Sequence, residues 1–212
     1  MYLPAHHRED DPARLFALIH ARPLGLLVTA GPGGLMANPI PFLLDEERGP
    51  NGTLVAHMAR ANPQWREAES GTEALVVFQD ADSYVTPSWY ASKREHGRVV
   101  PTWNYATVHA YGPLRAIDDE AWLRAQVTRL TNAHETARAT PWAVSDSPAP
   151  FIDAQLRGIV GIEIPIARLE GKWKVSQNRS EPDRAGVAEG LREADGQGAA
   201  RMADMVSATL RS

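Results

Sequence analysis

Tyr84-Val-Thr-Pro-Ser-Trp-Tyr-Ala-Ser-Lys93, running on through Gly97-Arg-Val-Val-Pro-Thr-Trp-Asn-Tyr105 to Val108-His-Ala-Tyr-Gly112, sets the architecture of this chain. From Val99 onward a period of two puts Trp103, Tyr105, His109 and Tyr111 on one face and Thr102, Asn104 and Val108 on the other, the alternation of a β-strand. One face of that strand must meet something large. Trp89, Tyr90, Trp103 and Tyr105 stand beside Ser88, Lys93 and Asn104, so rigid aromatic surface comes with hydrogen-bonding and charged tips. Two readings stay open: a site for a flat polar ligand, or aromatics that fill a barrel core or a subunit interface.

Outward from that strand, the chain reads as more strands with short helical crossings. Asp11-Pro12 opens a helix that Pro23 ends. Leu24 to Thr29 and Leu35 to Leu44 form a hairpin across Gly31-Pro-Gly-Gly34, and Thr53 to Ala59 is a third strand. Asn62-Pro63 caps a short helix carrying Trp65 and Ala68, before a strand from Ala74 to Phe78. The longest helix starts near Asp118-Asp119 and reaches about Arg138; a further hairpin joins Ile159–Ile164 to Lys172–Asn178. The expected class is mainly β with peripheral helices, an antiparallel barrel. One domain over 1–178 is expected, followed by an extension over 179–212 that is partly helical or disordered.

Composition closes off several function classes. The 212 residues are 43% hydrophobic and 23% charged, with no cysteine and a net charge of -4. Without cysteine there is no disulfide, thiolate metal site or cysteine nucleophile, and an acidic balance disfavours a broad phosphate-binding surface. No apolar run is long enough for a membrane span or a signal peptide, so a cytoplasmic location with no membrane contact is expected. His134-Glu135 lacks the second helical histidine of a zinc-protease motif, His6-His7 is expected to be solvated near a terminus, and no metal site is expected.

The residues themselves offer one anion site. In His57-Met-Ala-Arg-Ala-Asn62, a strand end delivers Arg60 to the start of the next helix, where free N–H groups and a guanidinium fork could meet a phosphate. The alternative is a surface arginine beside a capped helix. Lys172, Lys174 and Arg179 cluster near Gln177 and Asn178 as a basic, amide-rich hairpin end, able to contact a cofactor, a subunit or solvent.

These motifs carry a resemblance. Met1-Tyr-Leu-Pro4, Pro41-Phe-Leu-Leu-Asp45, His57-Met-Ala-Arg-Ala-Asn-Pro-Gln-Trp65, Tyr84-Val-Thr-Pro-Ser-Trp-Tyr90, Val99-Val-Pro-Thr-Trp-Asn-Tyr105 and Lys174-Val-Ser-Gln-Asn178 resemble the PaiB family of FMN-binding negative transcriptional regulators. The likeness spans residues 1 to about 190; Asn38-Pro39 and the tail after Leu191 depart from it. It implies an FMN-binding split β-barrel of Greek-key type and a homodimer with flavin near the subunit interface. It also implies repression of genes for degradative enzymes and sporulation. With it, His57, Arg60 and Asn62 are expected on the FMN phosphate. Ser88, Trp89, Tyr90, Lys93, Trp103, Asn104, Tyr105, Lys174, Gln177 and Asn178 are expected around the ring or across the interface. No helix-turn-helix signature or basic recognition helix is present, so direct DNA binding is the weak point of the regulator reading. Whether the chain is an enzyme is open. A flavin oxidoreductase using a nicotinamide cofactor is the competing class, and haem on His57 or His109 is a third.

Overall fold

In a computed structural model describing residues 1–67, 73–196 and 198–211, ten strands and seven α-helices alternate with short 3₁₀ turns. Ala68, expected in a helix, lies outside the described residues. The strands are β1 (Arg8–Glu9), β2 (Leu24–Gly31), β3 (Gly34–Pro41), β4 (Leu43–Asp45), β5 (Thr53–Ala59), β6 (Glu73–Val85), β7 (Thr102–Pro113), β8 (Arg115–Ile117), β9 (Ile159–Pro165) and β10 (Arg168–Lys174). The helices are α1 (Pro12–Ala21), α2 (Gln64–Glu67), α3 (Ser92–Glu95), α4 (Glu120–Glu135), α5 (Ala149–Arg157), α6 (Glu181–Glu193) and α7 (Ala199–Ala208). The chain forms two compact units: residues 1–18, 79–108 and 170–212 make one, residues 19–78 and 109–169 the other.

In the second unit, β6 neighbours β2 and β2 neighbours the edge strand β3, while a separate sheet runs β4-β5-β9-β8. The pairs β2–β3, β2–β6, β4–β5, β5–β9 and β8–β9 are all antiparallel. The hairpin turn is only Pro32-Gly33, with Gly31 opposite Gly34; Gly34 takes φ 101°, open to glycine at no steric cost. Phe42, Leu27, Val76, Phe78, Leu54 and Ile162 make its core, with Phe42 and Phe78 meeting edge to face at 6.0 Å. Helix α4 begins where expected, because Asp119 Oδ1 accepts from the Trp122 N–H at 2.7 Å. It lies on β9 because Gly161 leaves room there; a Cβ at that position would sit inside the Trp122 indole.

A polar network under α4 makes stability depend on pH. Arg48 donates twice to Glu163, at 2.6 and 2.9 Å, and Trp122 Nε1 donates to the same carboxylate at 3.3 Å. Hydrogen bonding from Arg48 outweighs burial and holds the Glu163 carboxyl below its ordinary value. A carboxylate with a depressed folded pKa stabilises the fold above its ordinary range, and that stability is lost as pH falls through the ordinary value toward the depressed one. Urea unfolding should show wild type weakening on acidification from about pH 5, and Glu163→Gln starting weaker by about 1–2 kcal/mol and losing less over the same interval. Equal pH slopes for the two proteins would refute this.

The outer face of β2 and β3 is apolar, and Leu75 and Val77 extend it onto β6 beyond the exposed Glu73 at that strand's start. Leu24, Leu26, Val28 and Ala30 lie opposite Pro41, Pro39, Ala37 and Leu35, and Val77 and Leu75 flank Leu26 and Val28 on β6. Leu24, Leu26 and Leu35 are 63%, 40% and 82% exposed. Beneath the inner face, fully buried Gln64 donates to Leu27 O at 3.1 Å and Thr29 Oγ1 at 3.2 Å and accepts from Asn38 Nδ2 at 2.9 Å. Asn38 is thus the partner of a core amide.

In the first unit the strand order is β1-β10-β7-β6, with β1 antiparallel to β10. The segment expected as a partly ordered extension is built into this unit: α6 and α7 pack on each other and bury Val187, Leu191, Met202 and Val206. The apolar positions of α6 are interrupted by Gly186, Gly190 and Asp183, which hides its amphipathic period from the sequence.

Candidate functional site

The burial of β7 argues against its aromatics filling a barrel core. Asn104, Ala106, Val108 and Ala110 are buried on one face and Thr107 on the other, whereas Trp103 is exposed and Tyr105, His109 and Tyr111 are half-buried. The small and polar residues, not the rings, fill the interior. In the first unit Trp103 stands edge-on to Tyr84 at 6.0 Å, an open aromatic corner.

Beside that corner, β10 presents two lysines on one face, as its period of two requires. Lys172 Nζ lies 5.4 Å from the Tyr105 ring and 5.5 Å from the Tyr2 ring, and donates to Tyr2 O at 3.1 Å. Lys174 Nζ lies 5.9 Å from Tyr105 and donates to Thr102 Oγ1 and to Trp103 O. Among the described residues no carboxylate pairs with either lysine. Burial, and then repulsion from Lys172 and Arg179, hold the Lys174 ammonium below its ordinary pKa. His7 was expected to be solvated; it is buried at 6% exposure, and its Nδ1 has no hydrogen-bond partner. Burial and then His6 oppose its protonation, a hydrogen bond with Gln177 favours it, and Lys174 and Lys172 oppose it further, so its pKa lies below the ordinary value. The first unit therefore holds an unmatched cationic cluster against aromatic rings, which is the chemistry of a site for an anion-bearing planar ligand.

The turn after β10 is held tightly. Ser176 adopts φ 64°, a left-handed conformation costly for a residue with a Cβ. Its Oγ accepts from buried Asn104 Nδ2 at 2.9 Å, while the Gln177 side chain accepts from Val175 N at 2.8 Å and donates to Trp173 O. Asn104 and Gln177 thus fix the end of β10, which delivers Lys174, and leave Asn178 exposed.

The other expected residues have different surroundings. Trp89 lies on α6: a Cβ at Gly190 would fall inside its indole, and one at Gly186 against its carbonyl oxygen. Tyr90 is buried beneath Arg179, whose guanidinium is 4.7 Å from the ring, and burial raises its phenol pKa. Lys93 donates to Ser88 Oγ at 3.1 Å on the surface. In the second unit His57 Nδ1 is 2.7 Å from Gln126 Oε1, and Asn62 Oδ1 caps the Gln64 N–H at 3.0 Å. Arg60 is a structural residue that forks onto Asp118 at 2.5 and 2.8 Å and donates to Ile159 O and Arg157 O. These bonds hold Arg60 above and Asp118 below its ordinary pKa, and leave the guanidinium one further N–H rather than a free fork for a phosphate. Tyr2 and His7 join the site without having been expected there, because their only signal lies in contacts made through the fold.

The family profile described as "Putative FMN-binding domain" matches residues 1–168. The chain is 29% identical over 211 residues to the protease synthase and sporulation protein PAI 2 of Bacillus subtilis, covering 100% of this chain and 99% of that one. It is 38% identical over 226 residues to an uncharacterised protein of Emericella nidulans, with 90% of each covered. Among solved structures, the flavocytochrome Anf3 of Azotobacter vinelandii superposes with TM-score 0.57 at 16% identity, over 78% of this chain and 68% of that one. The FAD and heme binding protein of Mycobacterium smegmatis does so with TM-score 0.53 at 19% identity, over 79% and 73%. At these identities the likeness fixes the fold, the antiparallel split barrel.

Proposed function

The chain belongs to the family of FMN-binding domains that includes the PaiB-type regulators, and we propose that it binds FMN on the cationic, aromatic face of its first unit and acts as a homodimeric regulator. The observation that carries this is the Lys172–Lys174 pair beside Tyr105, two buried or part-buried cations with no carboxylate among the described residues. Lys174 and Lys172 hold the phosphate. Tyr105, Trp103 and Tyr84 offer their rings to the isoalloxazine, and Asn104, Ser176 and Gln177 fix the strand end that aims Lys174. When bound, FMN supplies electron-transfer chemistry; the protein supplies position and charge.

The apolar face of β2, β3 and β6 supports the dimer. Three leucines as exposed as Leu24, Leu26 and Leu35 in one contiguous sheet face are what a second copy would cover. For regulation, a protein partner is favoured over DNA: net charge is -4 and α4, the longest helix, opens on Asp119 and Glu120.

The deciding measurement is flavin uptake. The purified protein should bind FMN with flavin bands in its visible spectrum, and riboflavin, which lacks the phosphate, at least about tenfold more weakly. A colourless protein indifferent to added FMN would end this reading. The open Trp103–Tyr84 corner also suits a stacked nicotinamide; sustained NADH oxidation by the flavin-loaded protein would move the function to an oxidoreductase.

A further inference from the structure

On the other face of β10 lies a groove. Lys172 and Lys174 point one way; Trp173 and Val175 point the other, onto a groove of about 600 Å³ closed by residues 6–9, the start of α1, the start of α6 and the end of α7. We propose that this groove binds an amphiphilic anion, an apolar body with a carboxylate head, independently of the flavin site.

Size, floor and rim each contribute to that assignment. A groove of this volume lies in the range of small-ligand sites. Its floor is apolar, with Trp173 and Val175 buried and Met205 beside them, so the body of the ligand must be apolar too. Its rim carries three guanidinium groups in a chain whose net charge is -4. Arg8 pairs with Asp10 at 2.7 Å and Arg14 pairs with Glu9, which neutralises two of them. Arg184 is the third. It donates Nη1 to Thr209 O, has no carboxylate partner among the described residues, and its Nε is buried without a hydrogen bond. A part-buried guanidinium left in that state is stabilised by an arriving carboxylate, whose two oxygens match the planar fork. Arg14, 5.5 Å from the Trp173 ring centroid, sits with its partner Glu9 where apolar floor and charged rim meet.

Calorimetric titration of the full-length protein with octanoate, and with octan-1-ol as its uncharged counterpart, tests the assignment. Octanoate should bind at one per chain and octan-1-ol at least about tenfold more weakly. Ala208→Trp, which fills the groove from an exposed position on α7, and Arg184→Met should each weaken octanoate at least about tenfold, with FMN uptake unchanged. Ala208→Trp keeps the test decisive if Arg184→Met, having lost its bond to Thr209, fails to fold. No binding at millimolar octanoate, equal binding of the alcohol, or wild-type affinity in Ala208→Trp would each overturn the proposal. Flavin uptake is read on the same samples, so failure of the groove and failure of the flavin reading give different results.

Discussion

The Lys174→Ala protein should fold and lose FMN affinity by roughly 10- to 100-fold, the value of one charge-assisted hydrogen bond to phosphate in a partly desolvated site. Folding should survive because Lys174 is an unmatched cation held below its ordinary pKa by burial and by Lys172 and Arg179, so its removal relieves repulsion. Two pH dependences of opposite sign follow. Since the folded apo protein binds this proton less readily than the unfolded chain, its stability should rise as pH climbs through the lowered Lys174 pKa toward the ordinary lysine value. Flavin affinity should fall over the same climb, because phosphate needs the charged ammonium. Titration by quenching of flavin fluorescence at several pH values measures the second effect, and urea unfolding the first. Wild-type affinity in Lys174→Ala at every pH would take the phosphate away from β10.

Leu26→Asp should turn a dimer into a monomer. Leu26 sits between Pro39 on β3 and Val77 on β6, in the middle of the apolar face, so a carboxylate there would be desolvated by any partner that covers it. Two-fold symmetry places the change on both sides of the contact, and several kcal/mol of desolvation per charge exceeds what an ordinary interface can absorb. Light scattering at micromolar protein should give about twice the chain mass for wild type and the single-chain mass for Leu26→Asp. Retained dimer mass in the variant would place the interface elsewhere. A monomer that still takes up FMN fully would show that the flavin site is complete within one chain.

Much of this architecture can be read from local sequence, because strands and turns are local events. Period two in β7 and in Lys172–Lys174, the Gly31-Pro-Gly-Gly34 hairpin and the Asp119 cap each lie within a few residues. The site is less legible because its decisive contacts join distant segments. Arg60 looks like an anion fork until Asp118 is brought to it, and His7 looks solvated until β10 and its lysines arrive beside it. Trp89, an attractive stacking residue by composition, is taken up by α6, a helix that its glycines make hard to see.

Those glycines affect the order of folding as well. Gly186 and Gly190 together cost α6 about 2 kcal/mol of helix propensity relative to alanine, so residues 181–193 have little helical life of their own. Their helix becomes stable only once the Trp89 ring is present to occupy the space they leave, and the two are far apart in the chain. The amides of α6 should therefore gain protection from hydrogen exchange after those of β7 and β9 during refolding, and the fluorescence of Trp89 should report a late docking step, when collapse is already complete.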